Sequence, residues 1–212
     1  MPNRDLSSHR KTYHYGQLEI SGCHDDPFVQ FDRWFEEASN LFEPNAMTLA
    51  TAGKNGQPSA RTVLLKGFSQ EGFTFYTNYE SKKGKQMAEN ERVALLFWWR
   101  EQERQVRIEG TVTKTDRQTS SDYFHSRPTG SQLAAGISPQ SQVIADRKFL
   151  DEKIQHAYHQ YKDREIPLPE NWGGYIVKPV LIEFWQGRDN RLHDRIEYIL
   201  KNGQWIKRRL AP

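Results

Sequence analysis

The chain has 212 residues, 36% of them apolar and 27% charged, with a formal net charge of +3. That balance describes a globular chain with a substantial core and excludes a disordered one. The longest apolar run, Val93 to Trp99, is too short to cross a bilayer, and acids are mixed among the bases instead of leaving the basic stripe of a nucleic-acid binder. A single cysteine, Cys23, allows no internal disulfide and fits a reducing compartment, so a cytoplasmic location is expected. The opening charges in MPNRDLSSHRKTYHYG precede no apolar stretch, so no secretory signal is expected either.

Residues 1–20 are polar without a period and are expected to form a flexible arm ahead of a single domain, 21–212. Asp26-Pro27 reads as an N-cap followed by proline at the first helical position, and Phe28, Phe31, Trp34 or Phe35, Ala38 and Leu41 extend a helix over 27–42. From Met47 the texture changes to short β-rich runs. MTLATA and PSARTVLLK flank an Asn55-Gly56 turn, and FTFYTN, RVALLFWW and RQVRIEGTVTKTD follow, with a short helix in SKKGKQMAENE. Helices are expected over 117–126 and 145–162, then strands in YIVKPVLIEFW and DRIEYIL, with a tight turn at Asn202-Gly203. Strands at this spacing predict an antiparallel barrel or sandwich, mainly β with flanking helices.

Glycine-rich dinucleotide fingerprints, phosphate loops, G-x-S-x-G and H-E-x-x-H are all missing, so any phosphate must be held by side chains. His156 and His159 lack the acid or cysteine neighbours of a metal site, and no metal is expected. Four segments carry polar chemistry beyond what folding needs. Arg61 and Lys66 bracket an apolar strand centre at an offset that puts them on opposite faces; they read either as strand-end cations or as contacts to two different anions. Tyr76-Thr77 leads into Ser81-Lys82-Lys83, where a helix start with lysines favours an anion, although a solvated turn reads equally well. Tyr123 and Arg127 share a helical face, Pro128 stops the helix, and Ser131 is expected in the loop beyond; the trio suits a phosphate or a cap. In WQGRDNRLHDR an extended Arg191–Arg195 would align Arg191, His193 and Arg195 on one face with no acid between them. That repulsion is hard to explain as structure alone, and a bound polyanion would relieve it.

Together RTVLLK, FYTNYESKK, ERQV, YFHSRPTGSQ, SPQS, PLPENWGG, IEFWQGRDNRLHDR and the terminal RLAP closely resemble the pyridoxine/pyridoxamine 5′-phosphate oxidase family, in the family's order from about residue 45 to the end. The resemblance implies a dimeric FMN-binding split β-barrel, with flavin sites across the subunit interface, which oxidises pyridoxine and pyridoxamine 5′-phosphates with O2. It implies Arg61 and Lys83 as partners of the FMN phosphate, with Lys82, Tyr76, Thr77, Gln140 and Ser141 around it. Gln105 matches a residue near the flavin ring, and Trp185 and Arg195 match residues reaching it from the other subunit. Lys66, Tyr123, Arg127 and Ser131 match the substrate-phosphate cradle, Lys66 also running beside the flavin. Arg191 and His193 match the catalytic pair over the pyridine ring, and Arg10 and Tyr13 match a segment that closes over the substrate. Lys82 stands where an arginine is common, which forgoes bidentate phosphate geometry. The alternatives are another split-barrel flavin reductase, a non-catalytic binder of FMN or pyridoxal phosphate, or a nucleic-acid module.

Overall fold

The computed structural model describes residues 5–9, 11–162 and 164–212. The chain is mainly β, with nine strands and five α-helices among the described residues. In order these are α1 (Pro27–Glu37), β1 (Ala46–Ala52), β2 (Pro58–Leu64), β3 (Gly67–Ser69), β4 (Gly72–Asn78), α2 (Lys82–Glu89), β5 (Arg92–Trp99), β6 (Arg104–Lys114), α3 (Arg117–Ser126), α4 (Thr129–Ile137), α5 (Lys148–Gln160), β7 (Trp172–Gln186), β8 (Asp194–Lys201) and β9 (Gln204–Leu210). The hydrogen-bonded strand order is β2-β1-β5-β6-β7-β4-β3, with β8 on β7 and β9 on β8. The fold separates into two compact units, and β5, β6 and β7 supply residues to both.

Unit 1 comprises residues 1–44, 96–108 and 180–212. Asp26 Oδ1 accepts the Phe28 N–H at 2.8 Å and Pro27 opens α1, so the helix starts where the sequence predicts. It ends at Glu37, short of the expected 42. Ala38, Ser39 and Leu41 bond back over three residues, and Ser39-Asn40 competes with the helix for its own backbone. The buried face of α1 sets Phe31 against Phe97 (5.2 Å between rings) and Trp34 against Phe184 (5.1 Å). Burying each such ring contributes roughly 1.5–3 kcal/mol. β7 and β8 pair antiparallel from Leu181↔Ile199 to Gln186↔Asp194, and β8 and β9 close through the Asn202-Gly203 turn, where both residues have positive φ.

Unit 2 comprises residues 45–95 and 109–179. β1 and β2 form the expected hairpin, turned at Gly56 with φ +74°, a conformation glycine adopts without a Cβ penalty. β2 stops at Leu64, so PSARTVLLK is not one strand: Lys66 lies beyond its end, and its N–H donates to Thr74 O at 2.8 Å. Arg61 and Lys66 therefore do not share a strand whose two faces they could divide. β4 pairs antiparallel with the first half of β7, Phe73↔Val177 to Asn78↔Trp172. Over Trp172 sits a satellite core of Phe124, Leu133, Ala157 and Ile166, which gathers α3, α4 and α5.

Candidate active site

In unit 2, α2, α3, α4 and β4 converge on a cleft of about 600 Å³. It brings together eight residues singled out from the sequence: Lys66, Tyr76, Thr77, Lys83, Tyr123, Arg127, Ser131 and Gln140. Ser81 caps α2 by accepting the Gly84 N–H, which turns Lys83 inward; its ammonium, on a residue only 8% exposed, donates to Thr77 Oγ1 and Gln140 Oε1, each at 3.2 Å. Burial, with Arg61 adding repulsion, holds the Lys83 pKa below its ordinary value. Thr77 Oγ1 and Gln140 Oε1 are 3.0 Å apart, so hydroxyl, amide and ammonium form one polar knot.

Arg127 also lines the cleft. Pro128 forces it out of the helix into extended backbone (φ −80°, ψ 152°), and its guanidinium lies 4.7 Å over the Trp172 ring. Its Nη1 is buried with no hydrogen-bond partner among the described residues, and burial lowers the group's pKa. None of the ion pairs among the described residues involves Arg61, Lys66, Lys83 or Arg127. Tyr76 stacks on Tyr123 at 3.9 Å, and both lie nearly parallel to Trp172, at 5.6 and 6.2 Å. Ser131 is not in a loop: Pro128 ends α3 and then precedes α4, so Ser131 sits in the first turn of α4 and its N–H reaches Pro128 O at 2.8 Å. The Pro-Thr-Gly-Ser run hides that helix start.

Arg61 does not line this cleft. Its guanidinium donates to Leu49 O (3.1 Å) and Thr51 Oγ1 (2.6 Å), beside Gln86 Oε1 at 3.4 Å. Lys82 and Ser141 lie with Lys54, Lys85 and Gln86 around a second cleft of about 570 Å³, to which Gln140 also contributes. A more voluminous cavity of about 840 Å³, between α4, α5 and residues 166–170, has mostly apolar walls and none of these cations, so its size does not make it the site.

In unit 1, Tyr13, Trp185 and His193 form an aromatic group, with ring separations of 5.9 Å (Tyr13–Trp185), 5.7 Å (Tyr13–His193) and 4.6 Å (Trp185–His193). The Arg188 N–H donates to His193 Nδ1 at 3.1 Å, which places the proton of a neutral ring on Nε2. Burial, then the nearby Arg191, lowers the His193 pKa, against a smaller opposing pull from Asp194. The expected line of three cations is not formed. Arg191 closes a short 3-10 turn with φ 62°, after Asn190 with φ 55°, and β8 begins only at Asp194. Nor is Arg195 free of acid, because its Nε and Nη2 donate to Glu183 at 2.9 and 3.0 Å and its Nη1 to Ala211 O. Asn190 tolerates the left-handed region, and Arg191, which follows it there, breaks the extended run. Gln105 is half-buried on β6. Arg10 lies outside the described residues.

A sequence model described as pyridoxamine 5′-phosphate oxidase matches residues 35–161, and one described as the pyridoxine 5′-phosphate oxidase C-terminal dimerisation region matches residues 172–212. A pyridoxine/pyridoxamine 5′-phosphate oxidase of Leptospira interrogans is 54% identical over 210 residues, covering 98% of each chain. The chain belongs to the pyridoxine/pyridoxamine 5′-phosphate oxidase family. A relative of the same name from a Nostoc species is 50% identical over 99% of this chain and all of its own. Among solved structures, PhzG from Burkholderia lata, in complex with tetrahydrophenazine-1-carboxylic acid, superposes with a TM-score of 0.86 at 25% identity, covering 93% of this chain and all of that one. A pyridoxamine 5′-phosphate oxidase-related, FMN-binding protein from Nostoc punctiforme shares the fold at a TM-score of 0.71 and 18% identity, over 88% and 98%. For a member of this family, the residue whose part the sequence understates is Trp172: it sits inside PLPENWGG and backs Arg127, Tyr76 and Tyr123 at once. Only the tryptophan between a proline-rich run and two glycines signals it. No helix among the described residues is long and apolar enough to cross a membrane.

Proposed function

We propose that the protein oxidises pyridoxine 5′-phosphate and pyridoxamine 5′-phosphate with O2 to pyridoxal 5′-phosphate, releasing H2O2, and NH3 from the amine, as a cytoplasmic FMN-dependent homodimer built on one domain per chain behind an N-terminal arm. The observation that carries this reading is the unit 2 cleft: among the described residues its cations Lys66, Lys83 and Arg127 have no carboxylate partner, and Arg127 Nη1 is buried without an acceptor. A desolvated guanidinium left unpaired costs folding free energy that an anion would return. Planar guanidinium, ammonium, hydroxyl and phenol together suit a phosphate dianion. The donor set thus fits phosphorylated ligands, and with an aromatic wall of Tyr76, Tyr123 and Trp172 it fits flat ones.

When bound, FMN supplies the redox chemistry, taking two electrons from the substrate and passing them to O2. The protein supplies position and charge. We assign Arg61, Lys82, Lys83, Tyr76, Thr77, Gln140 and Ser141 to the FMN phosphate, and Gln105 and Trp185 to the flavin ring. Lys66, Tyr123, Arg127 and Ser131 are assigned to the substrate phosphate, the handle whose binding orients the reacting carbon. Arg191 and His193 are assigned to the pyridine ring, and Arg10 and Tyr13 to the substrate. A His193 whose proton is on Nε2 offers that N–H to a substrate acceptor, while Arg191 adds an exposed positive charge. Arg195, whose Nε and Nη2 donate to Glu183, is assigned to the flavin as well. The test is direct: the purified protein is expected to carry a flavin absorbance and to form pyridoxal 5′-phosphate with O2 consumption. Binding without O2 consumption would assign it to storage instead.

A further inference from the structure

The segment ahead of α1 is seated on two carboxylates of unit 1. Glu103 is 7% exposed, and its single Oε2 accepts two consecutive backbone N–H groups, His14 at 2.7 Å and Tyr15 at 2.9 Å. Asp194 Oδ2 accepts the Leu18 N–H at 3.0 Å, and Arg209 bridges Asp194 Oδ1 (2.7 Å) to Leu18 O (3.0 Å). Charge-assisted bonds from a buried carboxylate are among the stronger ones a protein makes, and bonds to main-chain N–H groups hold the chain whatever its side chains are. Glu103 itself takes the left-handed region (φ 52°), a costly conformation that neighbouring bonds must fix. Those bonds come from Gly187 N–H (2.8 Å) and Gln186 Nε2 (3.3 Å), both to Glu103 O.

Gly187 is a second, steric part of the same seat. A Cβ at position 187 would fall 2.8 Å from Tyr13 Cγ, 3.0 Å from Tyr13 Cβ and 3.1 Å from Glu103 Cβ. Contacts that short are not sustained, so a side chain there must displace the tyrosine. Only glycine leaves room for Tyr13 to lie against Trp185 and His193.

We propose that Glu103 and Gly187 are positioning residues: the carboxylate captures the backbone at 14 and 15, and the glycine opens the space in which Tyr13 covers the His193–Trp185 face. This rests on the oxidase reading of that face. The test uses the full-length FMN-loaded protein. Glu103→Ala and Gly187→Ala are each expected to raise KM for pyridoxine 5′-phosphate about tenfold, with kcat nearly unchanged. Tyr13→Ala should do the same, and adding it to either variant should change nothing further, because all three act through one contact. Glu103→Gln, which keeps an acceptor oxygen, should recover most of the loss. Hydrogen exchange provides a readout that does not depend on activity: the amides of His14 and Tyr15 are expected to be protected in wild type and to exchange at least about tenfold faster in Glu103→Ala. Unchanged exchange at those two amides would overturn the seat, and faster exchange with an unaltered KM would overturn its role in closure. A wild-type protein without oxidase activity would instead refute the reading of the face, while the exchange result would still decide the seat.

Discussion

In unit 1 the arginines of β6, β8 and β9 meet carboxylates one after another. Arg107 and Arg195 share Glu183, Arg208 holds Glu197, and Arg209 reaches both Asp194 and Glu19. In the cleft of unit 2, Lys66, Lys83 and Arg127 line one wall system with hydroxyls, amides and aromatic rings but none of the ion pairs of the described residues. The lesson is that positive charge by itself marks nothing. A cation neutralised by its own chain is architecture, and a cation desolvated without a counter-ion is a site that awaits one.

Breaking the first half of that contrast should have the largest effect. Glu183→Ala removes the carboxylate that Arg107 and Arg195 share and is expected to cost about 3 kcal/mol, seen as a large drop in denaturant midpoint. An unchanged midpoint would mean the pairs contribute no compensation. The same carboxylate predicts a pH dependence. Burial pushes the Glu183 pKa upward, but the hydrogen bonds of Arg195 and Arg107 outweigh it, and the result lies below the ordinary glutamate value. An acid whose folded pKa is depressed contributes stability that is complete above its unfolded value and is lost as pH falls through the folded one. Stability should therefore hold down to about pH 4.5 and fall below it, and the Glu183→Gln variant should show a shallower decline.

The second half of the contrast is sharpened by Arg127→Met. Substrate affinity is expected to fall about a hundredfold, as two charge-assisted bonds are lost. The melting temperature should stay level or rise, because an uncompensated guanidinium has been removed; a loss of stability would make Arg127 a structural cation like Arg195. Lys83→Met should weaken FMN binding about tenfold in a fluorescence titration with smaller effect on substrate KM. The smallest expected effect is spectroscopic. The His193 imidazole should titrate below the ordinary histidine range, and by less in Arg191→Leu, where one of its two causes is gone.

Much of the fold was legible because β-rich runs and turn residues punctuate the chain locally. RVALLFWW became β5 residue for residue, and Asp116 accepts the Thr119 N–H at 2.7 Å to start α3 at its expected residue. What local patterns could not show were breaks imposed by tertiary contact. Lys66 leaves its strand to reach Thr74 O, and α4 starts inside a run rich in turn residues because Leu133 packs into the satellite core. The cleft residues could be picked out as cations and hydroxyls without local acids. Arg195 could not be judged that way, because its acid, Glu183, comes from the neighbouring strand. Glu103 and Gly187 gave no signal at all, since their partners lie about 90 and 170 residues away in sequence, a separation no local pattern reports.

The proposed oxidase function depends on Arg127 and Lys66 of the unit 2 cleft gripping the phosphate of the substrate. The most direct measurement is kcat/KM for pyridoxine 5′-phosphate relative to unphosphorylated pyridoxine, in wild type and in Arg127→Met. The wild-type preference for the phosphate ester is expected to exceed about a thousandfold and to shrink by at least about tenfold in the variant. A preference that Arg127→Met leaves untouched would contradict it.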